Sequence, residues 1–236
     1  MEGPEYQMKR SSRRYAYLHG FASSENSYKG VALQSFLHKY GAHLYLPNLN
    51  RPSFEHLSYD GALSEMDRLH ETTGGDDGPP WCLIGSSMGG YLATRWAELY
   101  PHRVDRNFLL CPGFKLVDRW PVLMGKENFC RWELEGKYEF EGPDGTPVEV
   151  RWSFVENART HPGEPQTTVR TRIVHGSADE ICPLENSIHY AARDSRVELV
   201  TVDDDHGLVK SLPLIQVEVA TFFELLGRSM DQPKSV

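Results

Sequence analysis

Leu83-Ile84-Gly85-Ser86-Ser87-Met88-Gly89-Gly90 sets a serine inside G-x-S-x-G, between an apolar run and a segment with helical spacing. A serine hydroxyl is a poor nucleophile. On a tight strand-to-helix turn its oxygen is exposed and the positive end of the following helix is aimed at the reacting group. Gly85 and Gly89 leave room for such a turn, because a side chain there would meet neighbouring backbone. Ser87 is therefore the candidate nucleophile, provided the rest of the chain supplies partners.

Around this stretch, short apolar runs alternate with amphipathic segments, the pattern of strands joined by crossover helices in a mostly parallel sheet. Strands are predicted at Tyr15–Leu18, His43–Leu46, Trp81–Ile84, Asn107–Cys111, Arg172–His175 and Val197–Val202. Helices are predicted at Tyr28–Lys39, Leu57–Glu71, Gly90–Leu99, Leu184–Arg193 and Leu212–Leu226, where apolar residues recur every three or four positions. The class is α/β with about six strands. A stretch over 113–169 breaks the alternation and reads as an insertion within a single domain, 1–236. In it, Lys137–Glu141 and Pro147–Arg151 alternate apolar and polar residues about Gly142-Pro143-Asp144-Gly145, a β-hairpin signal, and a helix is expected over Trp152–Arg159. Trp120, Trp132, Trp152 and Phe154 in this insertion either line a substrate pocket or form a satellite core. Gly74–Pro80 reads as a surface linker, since it lacks the Lys-Ser/Thr ending of a phosphate loop.

A serine nucleophile needs a base, and the base needs an acid to hold its tautomer. Ile173-Val174-His175-Gly176-Ser177-Ala178-Asp179 runs from a strand into a loop, which puts Asp179 just past the carboxyl end where α/β sheets keep their sites. If the order is nucleophile, acid, base, only His189 and His206 follow Asp179, and His189 falls in a helical segment. His206, in Asp203-Asp204-Asp205-His206-Gly207, is the candidate base, with Asp203, Asp204 and Asp205 as alternative acids. Oxyanion donors are expected at the backbone N–H of Met88 and of Phe21, in the loop His19-Gly20-Phe21-Ala22-Ser23-Ser24. His19 stands at the strand end, either shaping that loop through a hydrogen bond or bordering the substrate.

The 236 residues can bury about 70 to 75 per cent of the unfolded surface. With 25 Lys and Arg against 33 Asp and Glu, the net charge of −8 argues against broad binding to nucleic acid or to an anionic membrane. Lys9, Arg10, Arg13 and Arg14 follow Glu2 and Glu5 and read as a solvated arm rather than a targeting segment. Cys82, Cys111, Cys130 and Cys182 show no C-x-x-C spacing, and a reducing cytoplasm is the expected location.

Together, His19-Gly20-Phe21-Ala22-Ser23-Ser24, Pro47-Asn48-Leu49, Gly85–Gly90, His175–Asp179 and Asp205-His206 resemble the α/β-hydrolase superfamily. More narrowly they resemble the small YqiA-type, UPF0227-like serine esterases, over about Tyr15 to Leu226. The resemblance implies a three-layer α/β-hydrolase fold acting on small-molecule acyl esters or thioesters. Ser87, Asp179 and His206 would form the triad, Phe21 and Met88 the oxyanion hole, and no cofactor or metal would be needed. The superfamily's two leading antiparallel strands are expected to be missing, and the insertion to form a small hairpin-containing cap, too short for a large lipase-type lid, so that short acyl chains are favoured. The same scaffold also hosts small-molecule receptors and lyases or carbon–carbon hydrolases.

Overall fold

The computed structural model describes residues 13–166 and 169–226. Six parallel strands form the main sheet: β1 (Arg14–Leu18), β2 (Leu44–Tyr45), β3 (Trp81–Ser86), β4 (Val104–Leu110), β7 (Arg170–Gly176) and β8 (Val197–Val202). Their order is β2-β1-β3-β4-β7-β8, and among the described residues no strand precedes β1. The sheet has the six strands expected, with β2 shorter than the predicted run.

Alternation along each strand splits the core into two layers. Ala16, Leu18, Trp81, Leu83, Leu109 and Ile173 face one side, where α2 (Tyr59–Thr72) and α3 (Met88–Leu99) bury Met66, Leu92 and Trp96. Tyr15, Tyr17, Cys82, Ile84, Phe108 and Val174 face the other, under Leu33 and Leu37 of α1 (Tyr28–His38) and Ile215 and Val219 of α8 (Leu212–Phe222). The remaining crossover helix, α7 (Leu184–Ala192), adds Tyr190 to the first layer, where its ring stacks on Phe114 at 4.2 Å. Ser27 and Ser58 cap α1 and α2 by accepting from Gly30 and Gly61 N–H, which satisfies otherwise orphaned donors. The Gly74–Pro80 linker contains one short 3-10 turn, Gly75–Asp77.

Between β4 and β7 the chain forms α4 (Leu116–Leu123), α5 (Lys126–Glu135), the antiparallel pair β5 (Lys137–Glu141) and β6 (Pro147–Arg151), and α6 (Ser153–Arg159). The hairpin pairs the two predicted runs, Lys137 with Arg151 through Glu141 with Pro147, and Gly142 N–H donates to Thr146 O at 2.7 Å across the turn. Helices α4 and α5 were not legible: Pro121 lies inside α4, and Lys115 precedes it in a left-handed conformation at φ 56° with no side-chain cap. The N-terminal basic cluster also needs correction. Lys9 and Arg10 lie outside the described residues, but Arg14 is buried in β1, where its guanidinium donates to Pro79 O at 2.7 Å and sits 4.7 Å above the Trp81 ring. Arg13 is held by Asp105 at 2.9 Å and by Glu224.

Candidate active site

Ser87 occupies the single residue between β3 and α3, with φ 55° and ψ −121°, a conformation strained for a residue with a Cβ. Its surroundings over-determine it. Ser87 N–H donates to Leu110 O at 2.9 Å, and Ser87 O accepts from Gly113 N–H at 2.8 Å and from Gly90 N–H at 2.9 Å. A Cβ on Gly85 would lie 2.4 Å from Gly89 O, and one on Gly89 only 2.0 Å from Leu18 O, so both flanking glycines are required by backbone contact. The Ser87 hydroxyl makes no capping bond to α3, stands at the positive end of that helix and interacts with the Cys182 thiol.

Asp179 follows β7 in a loop bent back on itself. One carboxylate oxygen, Oδ1, accepts from Ile181 N–H at 2.9 Å and Cys182 N–H at 2.8 Å. The other, Oδ2, lies 2.7 Å from His206 Nδ1 and 3.2 Å from His175 Nε2, and the whole side chain is buried. Burial alone would push the carboxyl up, but the hydrogen bonds from His175 and His206, with that of Cys182 N–H, outweigh it and hold Asp179 well below the usual carboxylate range. An ionised acid therefore faces His206 Nδ1, which fixes the proton on that nitrogen and leaves Nε2 as the acceptor. His206 lies in the loop after β8, and its ring borders the same cleft as Ser87, about 280 Å³ in volume.

Two of the three alternative acids, Asp204 and Asp205, are occupied elsewhere. Asp204 accepts from Asp205 and Ser211 N–H, and Asp205 accepts from Gly207 N–H, so both shape the His206 loop from within. Gly176 lets that loop approach β7: a Cβ there would meet Asp204 O at 2.4 Å.

His175 carries weight that sequence reasoning did not assign to it. Fully buried at the end of β7, it has Nε2 2.9 Å from Cys182 O and Nδ1 2.8 Å from Ser187 Oγ. Because a carbonyl oxygen only accepts, Nε2 bears the proton, and the ring bridges both ends of the Asp179 loop. Cys111, at the end of β4 with φ 45°, completes a group with His175 and Asp179 whose donor atoms lie within 4.8 Å of one another. Burial pushes the Cys111 thiol up and the His175 Nε2 proton is shared between Cys182 O and Asp179 Oδ2, so this set is poorly prepared to ligate a metal.

The loop after β1 brings Phe21 to the cleft, and Gly20 lies close enough to Ser87 that a Cβ would sit 3.2 Å from its Cβ. Met88 is the first residue of α3, where the backbone N–H has no intrahelical acceptor. His19 lies behind the cleft, not along it: its Nδ1 donates to Gly20 O at 2.9 Å and its Nε2 accepts from Leu49 N–H at 3.0 Å. Burial lowers its pKa, in keeping with a neutral ring that joins the Phe21 loop to the Pro47–Asn50 segment.

Of the two roles open to the insertion aromatics, the packing favours a core. Trp120, Trp132, Trp152 and Phe154 are buried in the core cluster and do not border the Ser87 cleft. Their role is a buttress, in which Phe21 packs against Trp120 at 5.0 Å, Phe54 at 5.1 Å, Phe140 at 5.3 Å and Phe154 at 5.4 Å. Trp132 stands behind them, its indole N–H donating to Val150 O at 2.8 Å.

A trimmed parallel sheet carrying this elbow and this acid–histidine pair matches a known family model, described as uncharacterised protein family UPF0227, over residues 14–223. The chain belongs to that family. Its architecture is that of the α/β hydrolases. The palmitoyl-protein thioesterase ABHD10 of Rattus norvegicus is 28% identical over 198 residues, covering 75% of this chain and 62% of the relative. The chain thus spans less than two thirds of that relative's length. Among solved structures, ABHD10 from mouse aligns with a TM-score of 0.69 at 21% identity, covering 90% of each chain. Est1E from Butyrivibrio proteoclasticus, with ferulic acid bound, aligns with a TM-score of 0.74 at 21% identity over 91% of this UPF0227 chain and 90% of its own. These structural likenesses speak to the fold.

Proposed function

We propose that this UPF0227 protein is a serine hydrolase of small-molecule carboxylic esters or thioesters, working through an acyl-enzyme at Ser87. The observation that carries the reading is the 2.7 Å contact from Asp179 to His206, together with a cleft bordered by both His206 and Ser87. In this reading His206 Nε2 takes the hydroxyl proton as Ser87 Oγ bonds to the acyl carbon, and the carbonyl electron pair moves onto oxygen. The N–H groups of Phe21 and Met88, with the α3 terminus, stabilise that oxyanion. His206 then gives its proton to the departing alcohol or thiol. Water, deprotonated by the same nitrogen, attacks the acyl-enzyme and releases the acid and free Ser87.

Short or small acyl groups suit the site, because the aromatic insertion is filled by its own packing against Phe21 and the cleft is modest in volume. The name of the ABHD10 relatives points instead to a long acyl chain on a thioester. Turnover of p-nitrophenyl esters and acyl thioesters of graded chain length decides between the two. Activity that peaks at two to four carbons supports the short-chain reading, and a peak at long chains overturns it. In the same assay Ser87→Ala is expected to lose at least about 10³-fold in kcat/KM. Equal activity in both proteins would overturn the hydrolase reading and favour a ligand receptor on this scaffold.

A further inference from the structure

The cleft that holds Ser87 and His206 is lined by one lysine and no arginine. Lys29, in the first turn of α1, lines it, and its Nζ donates at 2.9 Å to the backbone oxygen of Gly207, the residue after His206. No carboxylate borders this cleft, although acidic residues outnumber basic ones 33 to 25 in the chain. The neighbouring acids are turned away: Asp204 and Asp205 accept from backbone N–H groups, and Asp179 is filled by two histidines and two backbone donors. Lys29 consequently has no ion-pair partner among the described residues. Burial lowers its pKa, offset at longer range by Cys111, Asp179, Asp205 and Asp204.

A partly buried ammonium whose one acceptor is a neutral carbonyl is costly to keep unless something else rewards the charge. Of its three donors, Gly207 takes one. Beside Ser23 and Ser27, the same side of the cleft presents apolar surface from Tyr28, 66% exposed, and Val209, 58% exposed. This combination of a lone cation, an apolar margin and the nucleophile fits a ligand with both a hydrocarbon portion and a negative charge.

We propose that Lys29 is a specificity-determining residue that selects esters or thioesters bearing a carboxylate or phosphate group near the scissile bond. The inference rests on the hydrolase reading of Ser87. It goes further in naming the substrate's charge. Because Lys29 also tethers the His206 loop through Gly207, the informative quantity is the ratio of kcat/KM for matched anionic and neutral substrates, from which a general loss of positioning cancels.

The test compares three pairs: mono-p-nitrophenyl succinate with p-nitrophenyl butyrate, 4-acetoxybenzoate with phenyl acetate, and 4-acetoxyphenyl phosphate with phenyl acetate. The first pair places a carboxylate on the acyl side, the second on the leaving group, and the third replaces carboxylate by phosphate. The wild-type protein is expected to favour at least one anionic member. Lys29→Met should lower that preference about tenfold or more, chiefly through KM, as expected for loss of one charge-assisted hydrogen bond, and Lys29→Arg should recover most of it. Turnover of the neutral esters with no anionic preference in any pair, or a preference unchanged in Lys29→Met, overturns this inference while the hydrolase reading stands. Absence of all turnover, with no labelling of Ser87 by a fluorophosphonate, overturns both.

Discussion

At the scale of single residues, the account turns on which atoms hold Asp179. Its Oδ2 serves His206 and His175 together, while Oδ1 is fixed by two backbone N–H groups. Asp179→Asn is nearly isosteric but offers an N–H where the imidazole needs an acceptor, so it should lower kcat about 10²- to 10⁴-fold while the protein stays folded by circular dichroism. Acid sensitivity follows from the same residue. Asp179 titrates below its ordinary value in the folded chain, so the stability it contributes is complete above the unfolded-state value of about 4 and is lost as pH falls further. His19 acts at higher pH. Burial holds its pKa below 6.5, so the unfolded chain takes up the proton first and the fold loses stability as pH drops from 6.5. Melting temperature should therefore decline below pH 6.5 and more steeply below about 4, and His19→Gln should flatten the first of these slopes. A melting temperature independent of pH between 7 and 5 in the wild type would contradict the assignment of His19 as a buried neutral ring.

At the scale of elements, the β3–α3 elbow and the aromatic insertion divide the work of shaping the site. Gly89→Ala would drive a methyl into Leu18 O and must displace either β1 or α3. Loss of soluble folded protein, or destabilisation by several kcal/mol, is the expected outcome of a denaturant titration. The insertion offers a contrast between two tryptophans. Trp120 Nε1 is buried with no acceptor among the described residues, whereas Trp132 Nε1 donates to Val150 O. Trp120→Phe should consequently cost less stability than Trp132→Phe, which also forfeits a buried hydrogen bond, a difference of about 1 kcal/mol by urea unfolding. Trp120→Ala, by removing the ring that packs on Phe21, should cost about 3 to 5 kcal/mol and lower kcat as the Phe21 loop loosens. These segments also mark where sequence patterns stop being informative. Strand alternation and helical spacing expose a regular parallel sheet. Helix α4 has a proline inside it and an uncapped left-handed start, which erases its signature.

At the scale of the whole molecule, the parallel order β2-β1-β3-β4-β7-β8 gathers the loops after β1, β3, β7 and β8 at one edge of the sheet, which is why residues as distant as Phe21, Ser87, Asp179 and His206 meet. That convergence was readable from the sequence because each candidate follows an apolar strand, and a strand's carboxyl end is a position in space as well as in the chain. The function of buried groups was less readable. Apolarity told that Trp120, Trp132, Trp152 and Phe154 would be covered, but not whether by substrate or by one another. Nothing in the local pattern of His175, Lys29 or Arg14 distinguished a buried bridge, a cleft cation or a strand residue from surface polar positions. Their roles depend on contacts with partners far along the chain, such as Lys29 with Gly207 and Arg14 with Pro79.

The central claim, that Ser87 is a nucleophile activated through His206 and Asp179, is tested most directly by reacting the folded protein with a fluorophosphonate and reading intact mass and peptide map over time. The account predicts one adduct per chain, on Ser87, absent in Ser87→Ala and slowed at least about 10²-fold in Asp179→Asn. An unmodified protein, an adduct on another residue, or equal labelling rates in wild type and Asp179→Asn would contradict it.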